Sequence, residues 1–271
     1  MPELAKRILS ALVAAPVFLY LIWLGGGFFI VTLLILTFII QMEIIRMLHK
    51  QGLDVPIPFV LLLGVPVLFF GTAPEFAWFF FLLFLLMLMV AETLGSAADT
   101  WKRLMATIMV AVLVPALFSG LILIRDIGDN MTGFALTVTL LLMVWANDVF
   151  AYFGGKTMGR HQLAPKISPS KTIEGFIWGF AGCFVALILC ILFLPGFPLS
   201  WLAAIPFAII VGLFGPAGDL AESKLKRASG IKDSSGLMPG HGGLYDRFDA
   251  VLFAAPATAI YFQLLIYFSI L

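Results

Sequence analysis

Acidic and basic side chains are scarce in this chain, and where they occur they gather. The stretch KDSSGLMPGHGGLYDRFD, Lys232 to Asp249, holds five charged residues and a histidine in 18 positions. Asp246 and Asp249 stand three apart with Arg247 between them. Carboxylates at that spacing share a helix face and suit a hard divalent cation. Just before them, Pro239, Gly240, His241, Gly242 and Gly243 form a run in which glycine lets backbone N–H groups converge on phosphate oxygens. For His241 an ordinary hydrogen-bonding loop histidine is the alternative.

Two further groupings have the same chemical character. In GPAGDLAESKLKR, Asp219 and Glu222 are again three apart, a second pair for a divalent cation, although Glu222 is also placed to pair with Lys226 at i, i+4. Lys224, Lys226 and Arg227 follow as a polybasic cluster, either an anion grip for a lipid headgroup or the basic edge that fixes membrane orientation. In WANDVFAYFGGKTMGRHQLAPKISPSKTIEG, Asp148 lies in or near the end of an apolar run. A carboxylate there faces a cavity, a cation or interfacial water. Ser168, Ser170 and Lys171 precede a helix start whose free N–H groups can hold an anion, whether or not Ser170 or Thr172 also caps it.

The sequence shows no P-loop, no H-E-x-x-H and no CxxC pair, so the chemistry has to run on carboxylates, cations and backbone. Cys183 and Cys190 lie seven residues apart in one apolar segment. Two helical turns separate them by roughly 10 Å, too far for a disulfide.

The elements that must position these groups are set by the solvent. The chain is 62% hydrophobic and 11% charged, with 27 Phe in 271 residues, and a mean hydropathy of +1.11. That composition belongs to a bilayer and gives no sign of nucleic-acid binding. Apolar runs of spanning length predict an all-α polytopic membrane protein with about nine transmembrane helices. They fall at 8 to 24, 27 to 48, 57 to 72, 74 to 91, 104 to 124, 132 to 153, 174 to 194, 199 to 218 and 250 to 270. The third is short for a full span. The first follows Lys6 and Arg7 but carries no A-x-A-like cleavage site, and is read as a helix.

With the N-terminus cytoplasmic, 15 of the 16 Lys and Arg fall on inner segments and only Arg125 falls outside. This is the asymmetry expected of cytoplasmic loops. Residues 1–271 form a single membrane domain, with 1–125 as scaffold helices and 126–271 as the catalytic portion. The latter carries cytoplasmic-face loops at 154–173 and 219–249. The size of the chain and its short loops point to a bacterial inner membrane, with an organellar membrane as the alternative, and the site faces the cytoplasm. A cation transporter would instead spread its carboxylates among broken helices near the midplane.

The stretch Ser223 to Asp249, SKLKRASGIKDSSGLMPGHGGLYDRFD, closely resembles the signature of the phosphatidate cytidylyltransferases: serine, a Lys-Arg pair, Lys-Asp, P-G-H-G-G and D-R-x-D. The Asp148 region and SPSKTIEG look like that family as well, whereas residues up to about 125 show only generic membrane helices. The resemblance implies CTP and phosphatidic acid as substrates among membrane lipids, CDP-diacylglycerol and pyrophosphate as products, and Mg²⁺, alone or with a second cation, as cofactor. On that reading Asp219 and Asp246 are the leading metal ligands, with Asp148, Glu222 and Asp249 as further candidates. Ser168, Ser170, Lys171, His241, Gly242 and Gly243 would hold the triphosphate. Lys224, Lys226, Arg227, Lys232 and Arg247 would hold the phosphatidate headgroup or the leaving pyrophosphate. Asp219, Asp246, Lys171 and Arg247 would act in catalysis. Homo-oligomerisation is left open.

Overall fold

The computed structural model of the chain describes residues 3–95, 99–237 and 242–271, with side chains from residue 12 onward. His241 lies outside the described residues. Among these the fold is a bundle of nine helices: α1 (Glu3–Leu24), α2 (Gly26–Lys50), α3 (Ile57–Leu68), α4 (Pro74–Leu94), α5 (Thr100–Arg125), α6 (Asn130–Met158), α7 (Ile173–Phe193), α8 (Trp201–Ala228) and α9 (Tyr245–Tyr267). Among the residues with described side chains seven helices are long and apolar enough to cross a membrane, and α3 is shorter; α1, 22 residues in all, enters that count only from Leu12 onward. At 12 residues α3 is roughly 18 Å long, against about 30 Å of hydrocarbon. The protein is thus an all-α polytopic membrane protein, in which the third anticipated span, α3, falls short of full length.

The inner segments differ from the sequence expectation in a consistent direction. α6 runs on to Met158, α8 runs on to Ala228, and α9 begins at Tyr245. Apolar runs mark only the stretch in contact with hydrocarbon, whereas backbone helix continues through AESKLKR because those residues are good helix formers. Asp219, Glu222, Asp246 and Asp249 therefore stand on helices rather than in a loop. The remainder of the 154–173 segment folds as a short antiparallel hairpin, β1 (Gln162–Ala164) with β2 (Ser168–Thr172).

Close helix approach is written in small residues. Gly175, Gly179 and Gly182 make a stripe on α7 against α6: a Cβ at Gly179 would sit 2.8 Å from Asn147 Nδ2, and one at Gly175 2.7 Å from the Ala151 carbonyl. Small residues at such spacing let backbones meet where lipid offers no hydrophobic drive. Prolines inside helices leave carbonyls unpaired, and the fold answers one of them directly. Pro115 cannot bond the Ala111 carbonyl, and buried Gln41 of α2 donates to that oxygen at 3.4 Å and to the Val110 carbonyl at 3.2 Å.

Arg125, the basic residue assigned outside, is buried at the end of α5. Its guanidinium donates to the Ile22 carbonyl at 2.8 Å and the Trp23 carbonyl at 3.3 Å, and also to Asn130. It thus satisfies the last carbonyls of α1, where a cation also suits the helix dipole. A residue with that duty departs from the charge bias for a structural reason.

Orientation has a direct test. A cysteine at Gly236, where added atoms meet open space, should react with a membrane-impermeant maleimide only from the cytoplasmic side. One at exposed Asp126 should react only from the opposite side. Cys183 and Cys190 are buried and should contribute little background. Labelling of both sites from one side would overturn the odd number of crossings, α6, α7 and α8, between the Asp126 and Gly236 positions.

Candidate active site

Three helices and the hairpin surround a cavity of about 420 Å³. α6 contributes Asn147, Asp148, Ala151, Tyr152, Gly155 and Lys156; α8 contributes Pro216 and Asp219. Ser170, Lys171 and Thr172 come from β2, and Gly175 and Phe176 from the first turn of α7. Each placement follows from local sequence. Thr172 is the N-cap of α7, its hydroxyl accepting from Gly175 N–H at 3.1 Å. The hairpin is locked to the same helix by Glu174, which accepts from the backbone N–H groups of Arg160 and His161 and pairs with the His161 ring at 2.6 Å. Lys171 is thereby carried over the cavity, where it forms an ion pair with Asp219.

The carboxylates divide into two sets. Asp219, Glu222 and Asp249 present oxygens that all lie within 4.8 Å of one another. Asp148 stands in electrostatic reach of Asp219, Lys171 and Arg247, and Asp249 in reach of Asp219, Asp148 and Lys171. Glu222 is 1% exposed; its Oε2 meets Lys226 Nζ at 2.8 Å while its Oε1 has no hydrogen-bond partner. A buried acceptor left unpartnered beside two other carboxylates is a donor set that fits a hard divalent cation, whose ligands are oxygens and which tolerates several of them.

Asp246 belongs to the other set. Its Oδ1 takes the Lys226 ammonium at 2.6 Å, and its Oδ2 accepts from Ser234 N–H at 3.0 Å, Ser234 hydroxyl at 2.9 Å and Gly243 N–H at 2.7 Å. The geometry makes Asp246 the clasp of the 234–246 segment, with both oxygens occupied by the protein itself. Lys226 is turned to Glu222 and Asp246 rather than outward, while Lys224, Arg227, Lys232 and Arg247 are exposed. Ser170 lines the cavity and Ser168, at the far end of β2, is outside its lining. Gly242 adopts φ +81°, a conformation that favours glycine, and a Cβ there would lie 2.7 Å from Asp246 Oδ2. The described part of the glycine run therefore folds around a carboxylate of the chain.

Sequence reasoning passed over Glu43. This α2 residue is 1% exposed and accepts from Ser234 and Ser235 hydroxyls at 2.9 and 2.5 Å, and from Leu244 and Tyr245 N–H groups at 3.0 and 2.8 Å. The residues 1–125 thus reach into the signature segment. The available signal was a lone carboxylate in the apolar run 27 to 48, which at membrane depth requires a partner. Lys156, poised 5.8 Å from the centre of the Tyr152 ring, is a second cation at the cavity that the sequence did not single out.

Stability should separate the two sets. Asp246→Asn removes one of the two carboxylates that share the buried Lys226 ammonium and weakens the acceptor of Ser234 and Gly243, and should cost about 3 kcal/mol. Asp219→Asn breaks a part-exposed pair and should cost about 1 kcal/mol or less. Thermal unfolding in detergent measures both, and equal losses would contradict the division.

The chain's similarities agree with its architecture. The cytidylyltransferase family model matches residues 5–265. A phosphatidate cytidylyltransferase of Bacillus subtilis (strain 168) is 31% identical over 279 residues, covering 98% of this chain and 100% of that protein. One from Staphylococcus haemolyticus (strain JCSC1435) is 32% identical over 255 residues, covering 94% and 97%. One from Staphylococcus aureus (strain COL) is 46% identical over 119 residues, covering 44% and 45%.

Proposed function

The chain belongs to the cytidylyltransferase family, and from that premise we propose that it transfers the cytidylyl group of CTP to phosphatidic acid, giving CDP-diacylglycerol and pyrophosphate. The observation that carries this reading is the convergence of Asp148, Asp219, Glu222 and Asp249 with Lys171 beside a cavity at one end of the bundle. Substrates whose reacting parts are phosphates require such a place, where cations and oriented donors outweigh repulsion between anions.

In the reaction a phosphate oxygen of phosphatidate attacks the α-phosphorus of CTP. The bond from that phosphorus to the β-phosphate bridging oxygen breaks, and its electron pair leaves with pyrophosphate. Phosphatidate brings its own nucleophile, because a phosphate monoester with a second pKa of about 6 is largely dianionic at neutral pH. A strong general base is therefore not demanded of the protein. Asp219, Glu222 and Asp249 would hold Mg²⁺, with Asp148 behind them. That cation supplies charge neutralisation at the triphosphate and at the departing pyrophosphate. Lys171, ion-paired with Asp219, is placed to turn to the triphosphate. Ser170, Thr172 and Lys156 line the same space and offer donors. Exposed Arg247 is in electrostatic reach of Asp148.

The acyl chains stay in the bilayer, so the headgroup enters between helices. Tyr152, Phe153, Ile177 and Trp178 on α6 and α7 present exposed apolar surface beside the cavity, which suits a lipid-facing entrance. The reading places the site at the cytoplasmic face of a bacterial inner membrane, where CTP is available.

Purified protein in detergent with Mg²⁺ should form CDP-diacylglycerol and pyrophosphate from CTP and phosphatidate, followed by chromatography of the lipid product. Lys171→Met should lower turnover by about a hundredfold, the usual cost of losing one charged donor at developing charge. Consumption of a nucleotide sugar with no response to CTP would mark a polyprenyl-phosphate sugar-phosphate transferase and sink the proposal.

A further inference from the structure

α9 starts in an unusual way. Its N-cap residue is Leu244, which has no side-chain acceptor, so the first N–H groups of the helix must be satisfied from elsewhere. They are satisfied from about 200 residues away: Leu244 and Tyr245 N–H donate to the two oxygens of Glu43 on α2. The anion that a helix N-terminus attracts is here a carboxylate of the same chain.

The same carboxylate gathers the segment before α9. Ser235 hydroxyl donates to Glu43 Oε1, and Ser234 hydroxyl lies 2.9 Å from both Glu43 Oε2 and Asp246 Oδ2. A hydroxyl has one proton, so Ser234 is shared between the two carboxylates and ties the position of one to the other. Gly243 completes the fit. A Cβ on it would stand 1.8 Å from Ser234 Oγ and 2.6 and 2.8 Å from the two Glu43 oxygens, so the second glycine of the pair is the residue that lets Ser234 and Glu43 meet there.

We propose, resting on the function proposed above, that Glu43 is a positioning residue for the reaction: by fixing the first turn of α9 and Ser234, it sets where Asp249 stands relative to Asp219 and Glu222. Asp249 is one helical turn beyond Asp246 on the same helix, so a shift of the α9 start is passed on to it. The glutamate touches none of the three carboxylates that would hold the cation. Its effect is geometric, and therefore distinguishable from simple stabilisation.

Glu43→Gln keeps the shape but confronts two of the four donors with an amide NH₂. In the full-length protein in detergent, the Mg²⁺ concentration for half-maximal CDP-diacylglycerol formation should rise about tenfold or more, as when a residue supporting metal ligands is lost. At saturating Mg²⁺, kcat should fall while KM for CTP stays within about twofold, since uniform binding is untouched. A second readout needs no turnover: the midpoint of Mg²⁺-dependent thermal stabilisation, measured without substrates, should move in parallel. Ser234→Ala and Gly243→Ala should shift the same midpoints in the same direction, and they decide the matter if Glu43→Gln does not purify folded. A lower Tm with unchanged Mg²⁺ midpoints and kcat, in Glu43→Gln or in both other variants, would overturn the inference and leave Glu43 a stabiliser alone. Wild-type protein that ignores CTP would count against the proposed function instead, and the thermal midpoints would still judge the positioning.

Discussion

Many carboxylates are held beside few lysines at one end of this bundle, and the rest of the architecture answers that imbalance. Glu43, Asp148, Asp219, Glu222, Asp246 and Asp249 converge there from α2, α6, α8 and α9, and the lysines ion-paired with them are Lys171 and Lys226. Like charges close together in a poorly hydrated setting repel strongly, and each needs its own compensation. Glu43 and Asp246 find it in backbone N–H groups, serine hydroxyls and Lys226. Asp148, Asp219 and Asp249, with one oxygen of Glu222, are left facing each other with Lys171 as the paired cation. The first set forms a frame, and the second is an anionic site with a standing demand for positive charge.

Buried charges fasten both ends of the molecule by one physical device. At the end of α5, Arg125 takes the last carbonyls of α1; at the other end, Glu43 takes the first N–H groups of α9. Each charge has the sign that the helix terminus favours, and each is supplied by a different helix. Because these caps act across the bundle, they fix the height of one helix against another, which a local cap cannot do.

Small residues then decide how near the pieces come. The α7 glycine stripe brings Asn147 and Asp148 of α6 beside the hairpin that carries Lys171. Gly218 does the same for α8 and α9, since a Cβ there would run into Phe253 Cβ at 3.1 Å and the backbone of Asp249. That approach brings oxygens of Asp219 and Asp249, with Glu222, within 4.8 Å of one another.

The sequence by itself determined the compartment, the helical class and the residues worth watching. Each rests on a local property: apolar runs of spanning length, charge confined to a few segments, and a signature segment continuous along the chain. Periodicity also placed Asp219 with Glu222 and Asp246 with Asp249, because i, i+3 neighbours share a face in any helix. It did not reveal that Asp246 is consumed by its own loop while Asp249 joins Asp219, since that depends on which way α8 and α9 face each other. Nor did it extend α6 and α8 past their apolar limits, or fold Gln162–Thr172 into a hairpin, because polar residues near a membrane surface carry no hydropathy signal of their own. Glu43 was out of reach for the strongest reason. A lone glutamate in an apolar helix announces only that it needs partners, and its partners lie about 200 residues away, where nothing but the packing of α2 against the start of α9 brings them together.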